Sequence, residues 1–207
     1  MNTYPIPVYT SRNQLQGEGP EAILPYSWFD GAIIAPTSFC IDFFRDSGFR
    51  ICMRSAEIPD PCRFHAMDEP VYEDSCMEFF ADFFPELHLG YVNIEVNAAG
   101  AMLCMFGPTR ENRRFTAQIT DKRPTAKTVL TDNGWKVELF IPLDFIEALY
   151  GTCHLPSGHI FRGNVYKCGD KTSCPHWGSW NWLGENPVDF HQPETFGEFV
   201  LNQNSRE

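Results

Sequence analysis

Carboxylate and amide side chains in strand-like segments are the residues whose chemistry stands out first. Glu78 interrupts an otherwise apolar run, and in residues 91–97 the side chains of Asn93, Glu95 and Asn97 alternate with valine and isoleucine. Alternation with a period of two places these three polar side chains on one face of a predicted strand. Such groups offer paired donors and acceptors to a ligand rich in hydroxyls, and two carboxyls can also form an acid/base pair.

A second polar strand and a tryptophan-rich stretch follow later in the chain. Arg162 and Asn164 alternate with apolar residues, and residues 176–182 contain three of the five tryptophans. A pyranose has apolar C–H faces that stack on aromatic rings and a rim of hydroxyls that needs charged or amide partners. The combination predicts a sugar-binding site.

Each of these features also has a simpler structural interpretation. A tryptophan in a β-sandwich is more often part of the core than a platform for a ligand. The polar strip of Asn93, Glu95 and Asn97 is typical of a solvated sheet face. Glu78 alone would be a half-exposed strand residue or a partner for a nearby arginine. Only their combination favours a binding function.

Other chemistry receives weaker support from the sequence. The motifs of serine hydrolases, zinc peptidases, P-loops and dinucleotide-binding domains do not occur. Cys168, Cys174 and His176, with His191 downstream, form the best metal-like cluster, but its spacing is looser than that of zinc sites, and the prediction is no metal. Calcium stays open, since loop carboxylates and carbonyls bind it without regular spacing.

Composition limits the functional classes. The 207 residues carry a net charge of −11, which argues against nucleic acid as a partner. No apolar run is long enough to span a membrane, and no membrane partner is expected. Residues 1–5 lack the pattern of a signal peptide, so a native Met1 would predict a cytoplasmic protein. The eight cysteines do not form a disulfide framework, and most are expected to be small buried hydrophobic residues.

The element pattern predicts an all-β fold. A hairpin is expected over residues 38–57, and residues 91–97 and 160–168 read as strands. Further strands are expected in residues 72–84, 102–106, 115–120, 127–130, 135–141, 179–183 and 198–201. Proline and glycine bracket one short helix at residues 142–150. We therefore predict one domain over residues 1–207, a two-sheet antiparallel β-sandwich of the jelly-roll or DOMON-like type. Residues 1–35 are expected to be an irregular arm packed on it.

Five sequence blocks, taken in order, resemble a known family. They are residues 70–80, 91–100, 161–170, 176–180 and 189–197. Together they are similar to the carbohydrate-binding module family 9-like domains found in endo-1,4-β-xylanases. The resemblance extends over residues 38–201. It implies a two-sheet β-sandwich, a location outside the cytoplasm and a non-catalytic role in support of polysaccharide breakdown.

The resemblance also implies a set of site residues. Family members clamp a terminal sugar of a β-glucan or xylan fragment between two aromatic rings, one of them six residues before a glutamate. That spacing matches Tyr72 and Glu78, and the second ring is expected to be Trp180 or, as second choice, Trp177. Further polar partners are expected among Asn93, Asn97, Arg162 and Asn164. The partner is an oligosaccharide or polysaccharide chain end, with no cofactor other than structural calcium, which some members carry.

Two other functions stay open at this point. A glycoside hydrolase of the xylanase type would use Glu78 and Glu95 as its two carboxyls. A haem-binding domain would use methionine and histidine ligands, as in related sandwich domains.

Overall fold

Fifteen strands form two sheets in the residues that the computed structural model describes, which are 1–14, 19–28, 35–184 and 189–202. The nine-stranded sheet contains, in spatial order, β1 (Thr3–Ile6), β15 (Gly197–Leu201), β13 (Ile160–Cys168), β7 (Cys76–Asp82), β8 (Tyr91–Asn97), β9 (Met102–Gly107) and β10 (Arg114–Phe115). Two further strands belong to this sheet: β14 (Trp177–Ser179) pairs with β13, and β4 (Tyr26–Trp28) pairs with β14. The six-stranded sheet contains β11 (Thr125–Thr131), β12 (Gly134–Pro142), β6 (Gly48–Ser55), β5 (Thr37–Phe44) and β2 (Val8–Tyr9), with β3 (Ala22–Ile23) also on β5.

The space between the two sheets is filled by apolar side chains from both. Met77, Phe79 and Ala81 of β7 face this interior, together with Val92 and Ile94 of β8. Residues of β5, β6 and β12 meet them from the other sheet. The period-two pattern of these strands thus produces one continuous core, and the predicted β-sandwich is confirmed.

A second cluster of buried residues lies on the opposite face of the nine-stranded sheet, which we call the outer face. It includes Phe80 of β7, Tyr91 of β8 and Tyr166 of β13, covered by loop residues such as Phe190 and Phe196. Because loops rather than a sheet cover this face, it can hold both apolar contacts and a cavity. The predicted binding residues of the central strands point to this side.

Turn chemistry explains how the predicted hairpin forms. Strands β5 and β6 pair antiparallel from Thr37–Ser55 to Phe44–Gly48. Gly48 has a φ of +137°, and a Cβ added there would lie 2.1 Å from the carbonyl oxygen of Ile141. Only glycine fits this backbone conformation and this close approach.

One α-helix occurs among the described residues, and this helix, α1 (Leu143–Tyr150), lies within the predicted range 142–150. Pro142 precedes it, and Gly151 ends it in the left-handed conformation. The helix buries Phe145, Ile146, Leu149 and Tyr150. Five single 3-10 turns complete the described structure, and they cover Arg12–Gln14, Val71–Glu73, Pro85–Leu87, Thr116–Gln118 and Pro193–Thr195.

Several sequence-based expectations need correction. The described part of residues 1–35 is not irregular throughout, because β1 and β2 each add to a sheet edge in parallel with β15 and β5. The sandwich is therefore not purely antiparallel. Residues 115–120 form the end of β10 and a 3-10 turn rather than a long strand. The strand expected at 179–183 is β14, two residues earlier.

Two global features complete the description. No disulfide joins any of the eight cysteines, all of which lie within the described residues. Among those residues, no helix has the length and apolarity required to cross a membrane.

Candidate functional site

A cavity of about 460 Å³ opens on the outer face of the nine-stranded sheet. Its floor consists of side chains from β7, β8, β9 and β13, and loops form its walls. The lining residues are Asp68, Pro70, Tyr72, Glu78, Glu95, Leu103, Met105, Arg110, Arg113, Phe115, Cys168, Asp170, Trp177, Asp189, Phe190 and His191. Tyr72 and Arg110 are solvent-exposed, so the cavity is accessible from outside.

Two buried carboxyls lie side by side in the floor. Glu78 of β7 is the direct cross-strand partner of Glu95 of β8. Burial, the neighbouring Cys168 and the charge of Glu95 raise the pKa of Glu78 well above its usual value. Burial likewise raises the pKa of Glu95 to about 7, although Arg113 and a hydrogen bond from Asn93 oppose the shift. The floor therefore holds protons at neutral pH unless a cation approaches it.

A thiol pair lies next to Glu78. The Sγ of Cys168 donates to Oε1 of Glu78 at 2.9 Å, and Cys168 is the cross-strand partner of Cys76. The ligand atoms of these three residues lie within 4.8 Å of one another, a donor set that suits a zinc-like ion. Burial, however, raises the pKa of Cys76 to about 12 and that of Cys168 well above its usual range, so both thiols are protonated.

Two aromatic side chains, Tyr72 and Trp177, contribute to the cavity walls, and Asp170 connects their segments. The Nε1–H of Trp177 donates to Oδ1 of Asp170 at 2.6 Å. The backbone N–H of Asp170 in turn donates to the carbonyl oxygen of Tyr72 at 3.1 Å. Cys168 Sγ also approaches that carbonyl, at 3.5 Å. One residue of the loop after β13 therefore positions both aromatic segments.

Arginines and a neutral histidine form another part of the lining. Arg113 donates to Oδ1 of Asn93 at 2.8 Å, and Arg110 forms a 3.2 Å ion pair with Asp189. Burial and both arginines lower the pKa of His191 to about 3, so its imidazole is neutral. Its Nδ1 lies 2.9 Å from the hydroxyl of Tyr91. The haem hypothesis stays a prediction, and this contact would compete with a metal for one of the nitrogens of His191.

The structure brings some of the predicted site residues together. Tyr72, Glu78 and Trp177 line one cavity, and so does Glu95. Asn93 lies directly behind the lining, where its Nδ2 donates to Oε1 of Glu95 at 2.8 Å. These residues come from three separate parts of the sequence, and cross-strand pairing explains their proximity.

The other predicted polar partners do not line the cavity. Asn97 is buried and donates to Phe64 O and to Asp74 Oδ2, so it fixes a loop. Arg162 donates to Phe196 O at 2.9 Å. Asn164 accepts from the backbone N–H of Asn181 at 2.9 Å. These three side chains satisfy backbone groups and hold the loops over the outer face.

The first choice for the second ring, Trp180, lies elsewhere. Only 5% of it is exposed, and it packs in the core between the sheets with Tyr4, Phe39 and Phe199. Its backbone N–H donates to Val165 O at 2.9 Å. Since Trp177 and Trp180 lie three residues apart, they face opposite sides of the sheet. Trp177, the second choice, is therefore the ring that lines the cavity.

Sequence reasoning missed Asp170 and Arg113. Asp170 follows the end of β13 by two residues, where a carboxylate often caps a turn, and this was the available signal. Arg113 lies in a basic loop with no periodicity. Its proximity to Asn93 depends on the pairing of β9 with β10, which local sequence does not encode.

A buried ionic network lies beneath the segment that carries Trp177. Lys167 is fully buried, and its Nζ contacts Oε2 of Glu57 at 2.8 Å and Nε2 of His176 at 2.6 Å. Burial acts to raise the pKa of Glu57, but the Lys167 ammonium outweighs it and the net shift is downward. Because burial and Lys167 lower the pKa of His176, its Nε2 accepts a hydrogen bond from the lysine ammonium.

This arrangement separates the four residues of the metal-like cluster that the sequence contains. Cys168 faces Glu78, His176 faces Lys167, and His191 contacts Tyr91, while Cys174 is exposed. Among the residues that the structure describes, the set Cys76, Glu78 and Cys168 is the one cluster with metal-ligand proximity.

The sequence match settles the family. Residues 60–201 match the profile of carbohydrate-binding family 9, which covers more than half of the chain. The chain belongs to carbohydrate-binding family 9. The family 9 region includes every cavity-lining residue described above, from Asp68 to His191. No curated protein sequence matches the chain significantly.

Solved structures show the same fold at low identity. A putative carbohydrate-binding protein from Bacteroides uniformis superposes with a TM-score of 0.76 at 22% identity, over 97% of this chain and 99% of that one. A family 9 module from Caldicellulosiruptor kristjanssonii, solved with cellotriose, has a TM-score of 0.70 at 12% sequence identity, over 99% of this chain and 96% of that one. A second structure of a family 9 module from that organism, solved with glucose, has a TM-score of 0.68 at 15% sequence identity, over 98% of each chain. These comparisons and the family match establish carbohydrate binding as the general function.

Proposed function

We propose that the cavity binds the terminal sugar of a β-glucan or xylan chain without cleaving it, in support of polysaccharide breakdown. The sugar ring would lie against Tyr72 and Trp177. Its hydroxyls would meet Glu78 and Glu95 in the floor and Arg113 at the side. The observation that carries this proposal is that two aromatic rings and a carboxyl pair, distant in sequence, line one accessible cavity.

The balance between ring stacking and the entropy cost of association favours weak, reversible binding. Stacking that removes roughly 100 Å² of apolar sugar surface per ring, at about 25 cal/mol/Å², contributes about 2–3 kcal/mol per ring. The entropy lost on association offsets part of the free energy gained from stacking and hydrogen bonding. The net free energy corresponds to dissociation constants on the order of micromolar to millimolar.

The ligands of the Caldicellulosiruptor modules support a β-glucan as the first ligand to test. Those modules were solved with cellotriose and with glucose. Xylan fragments rest on the resemblance alone and belong in the same titration series.

The deciding experiment is isothermal titration calorimetry with cellobiose, cellotriose and xylotriose. We expect saturable binding that Trp177→Ala weakens at least about tenfold, because one stacked ring is lost. Trp182→Ala is the matched control, since Trp182 is 46% exposed, contacts Tyr26 and does not line the cavity. No saturable binding to any of the three sugars, or equal losses in both variants, would contradict the proposal.

A hydrolase is a second candidate because both carboxyls have raised pKa values, as a general acid requires. Against it, Glu78 and Glu95 are adjacent in one floor, whereas glycosidases place the two carboxyls on opposite sides of the scissile bond. Release of reducing sugar from xylan or cellotriose by purified protein, abolished by Glu78→Gln, would favour hydrolysis. We expect no release.

A further inference from the structure

One oxygen in the cavity floor has no hydrogen-bond partner. The Oε2 of Glu95 is buried and unpaired among the described residues, although Oε1 accepts from Asn93 at 2.8 Å. Only 4% of Glu95 is exposed, and the residue lines the cavity. Buried polar atoms are nearly always satisfied in folded proteins, so this oxygen is a place where a ligand atom would donate.

The charged groups around Glu95 leave an excess of carboxyls. Glu78 faces Glu95 from β7, and Asn93 connects Glu95 to Arg113 by hydrogen bonds. The charges of Asp170 and Arg110, which lie in loops, also influence the pKa of Glu95. In the whole lining, five carboxyls oppose two arginines: the carboxyls belong to Asp68, Glu78, Glu95, Asp170 and Asp189. Asp189 already pairs with Arg110. Since His191 is neutral, four carboxyls remain against the single charge of Arg113.

This surplus discriminates between classes of sugar. A neutral sugar offers hydroxyl donors but no charge, so the Glu78–Glu95 pair must keep a proton while such a sugar is bound. A uronic acid would add another negative charge to the floor. A protonated amine would favour ionisation of both carboxyls and form charge-assisted hydrogen bonds with them, which are about twice as strong as neutral ones.

We propose that the preferred ligand is an amino sugar, a β-linked glucosamine residue whose ammonium group donates to Oε2 of Glu95 beside Glu78. The inference rests on the proposed sugar-binding function of the same cavity and ranks an amino sugar above the neutral glucan and xylan ends proposed there. Tyr72 and Trp177 would contact the ring faces of this sugar as they would those of glucose.

The experiment compares three β-1,4-linked disaccharides by calorimetry at about pH 6, where the amine is protonated: the glucosamine disaccharide, its N-acetylated form and cellobiose. We expect the free amine to bind about tenfold more tightly than either neutral sugar. We also expect its binding to release a proton, because both carboxyls ionise beside the ammonium group. Titrations in two buffers of different ionisation enthalpy measure that release in the wild-type protein.

Glu95→Gln tests the assignment to one residue. The variant should reduce the ratio of amine to cellobiose affinity to near one. Glu138→Gln, a change on β12 in the other sheet, should keep both the affinities and the ratio. If Glu95→Gln fails to fold, the buffer comparison on the wild-type protein still decides the proposal.

The outcomes separate the two proposals. Cellobiose binding as tightly as the amine, or amine binding without proton release, overturns the amino-sugar inference and leaves the proposed sugar-binding function standing. An unchanged ratio in Glu95→Gln overturns the role of Glu95. No binding of any of the three disaccharides overturns both proposals.

Discussion

The two faces of the nine-stranded sheet are both buried, but they are buried by different means. On the inner face, Phe79 and Ile94 pack against another sheet and meet only apolar neighbours. On the outer face, Glu78, Asn93 and Glu95 of the same strands lie under loops and line or support a cavity. A second sheet covers the inner face uniformly, whereas the loops over the outer face leave gaps and place polar backbone groups against it. The cavity therefore forms on the outer face.

The outer face is held by specific hydrogen bonds rather than by packing alone. Asn97 supports the loop at Phe64, and Asp74 accepts from the backbone N–H groups of Arg63 and Phe64 at 3.0 and 3.1 Å. Glu95, whose Oε2 has no partner among the described residues, lines the cavity instead. The polar residues of the outer face thus divide into those that fix loops and those that face a ligand.

The sharpest way to separate the two faces is to compare two tryptophans three residues apart. Trp180→Ala should destabilise the protein by about 3–5 kcal/mol, because it empties a site among Tyr4, Phe39 and Phe199 in the inner core. The folded fraction should keep its sugar affinity. Urea unfolding and calorimetry measure the two effects. A Trp180→Ala protein of normal stability without sugar binding would contradict this division.

A second prediction concerns pH and the carboxyls of the outer face. The pKa of Glu95 is raised from 4.5 to about 7, so its stabilising contribution is complete below about pH 4.5 and is lost as the pH rises through about 7. Glu95→Gln should remove this loss. We expect the variant to gain on the order of 2–3 kcal/mol relative to wild type at about pH 8, and less at about pH 5.

Urea unfolding across that pH range measures the effect. Glu57 is a useful contrast, because its pKa is lowered and its contribution is lost as the pH falls instead. Identical pH profiles for wild type and Glu95→Gln would show that the floor carboxyl is not held in a desolvated environment.

The smallest effect is expected at the exposed wall of the cavity. Tyr72 is 38% exposed, so a larger ring can be accommodated there. Tyr72→Trp should tighten sugar binding by roughly threefold to fivefold, because the larger ring covers additional apolar surface and contributes about 1 kcal/mol to the free energy of binding. Tyr72→Phe should bind as the wild type does. Equal affinity in the tryptophan variant would mean that this ring does not stack on the sugar.

Local sequence predicted much of the fold. Strands β8 and β13 match their predicted bounds, and the helix begins one residue later than expected. These elements carry a strong period or clear terminal residues. The arm was misread because β1 and β2 are short and gain their pairing from β15 and β5, which are distant in sequence.

The site was less predictable than the fold. Alternation placed Asn93, Glu95 and Asn97 on one face of a strand and suggested that this face is solvated, whereas loops from residues 60–75 and 189–196 cover it. The spacing of Trp177 and Trp180 puts them on opposite faces, but which face meets the other sheet depends on the pairing of β14 with β13, which local sequence does not encode. Asp170 acquires its role only when the loop after β13 meets Tyr72.

The parallel pairing of β1 with β15 constrains the order of folding. Thr3 aligns with Glu198 and Ile6 with Leu201, so β1 cannot complete this pairing until the whole segment between it and β15 has been synthesised. Contacts of such high sequence separation slow the search for the native topology. Until β15 arrives, one edge of the growing sheet stays open to neighbouring chains, and chaperone occupancy during synthesis should be highest in that interval.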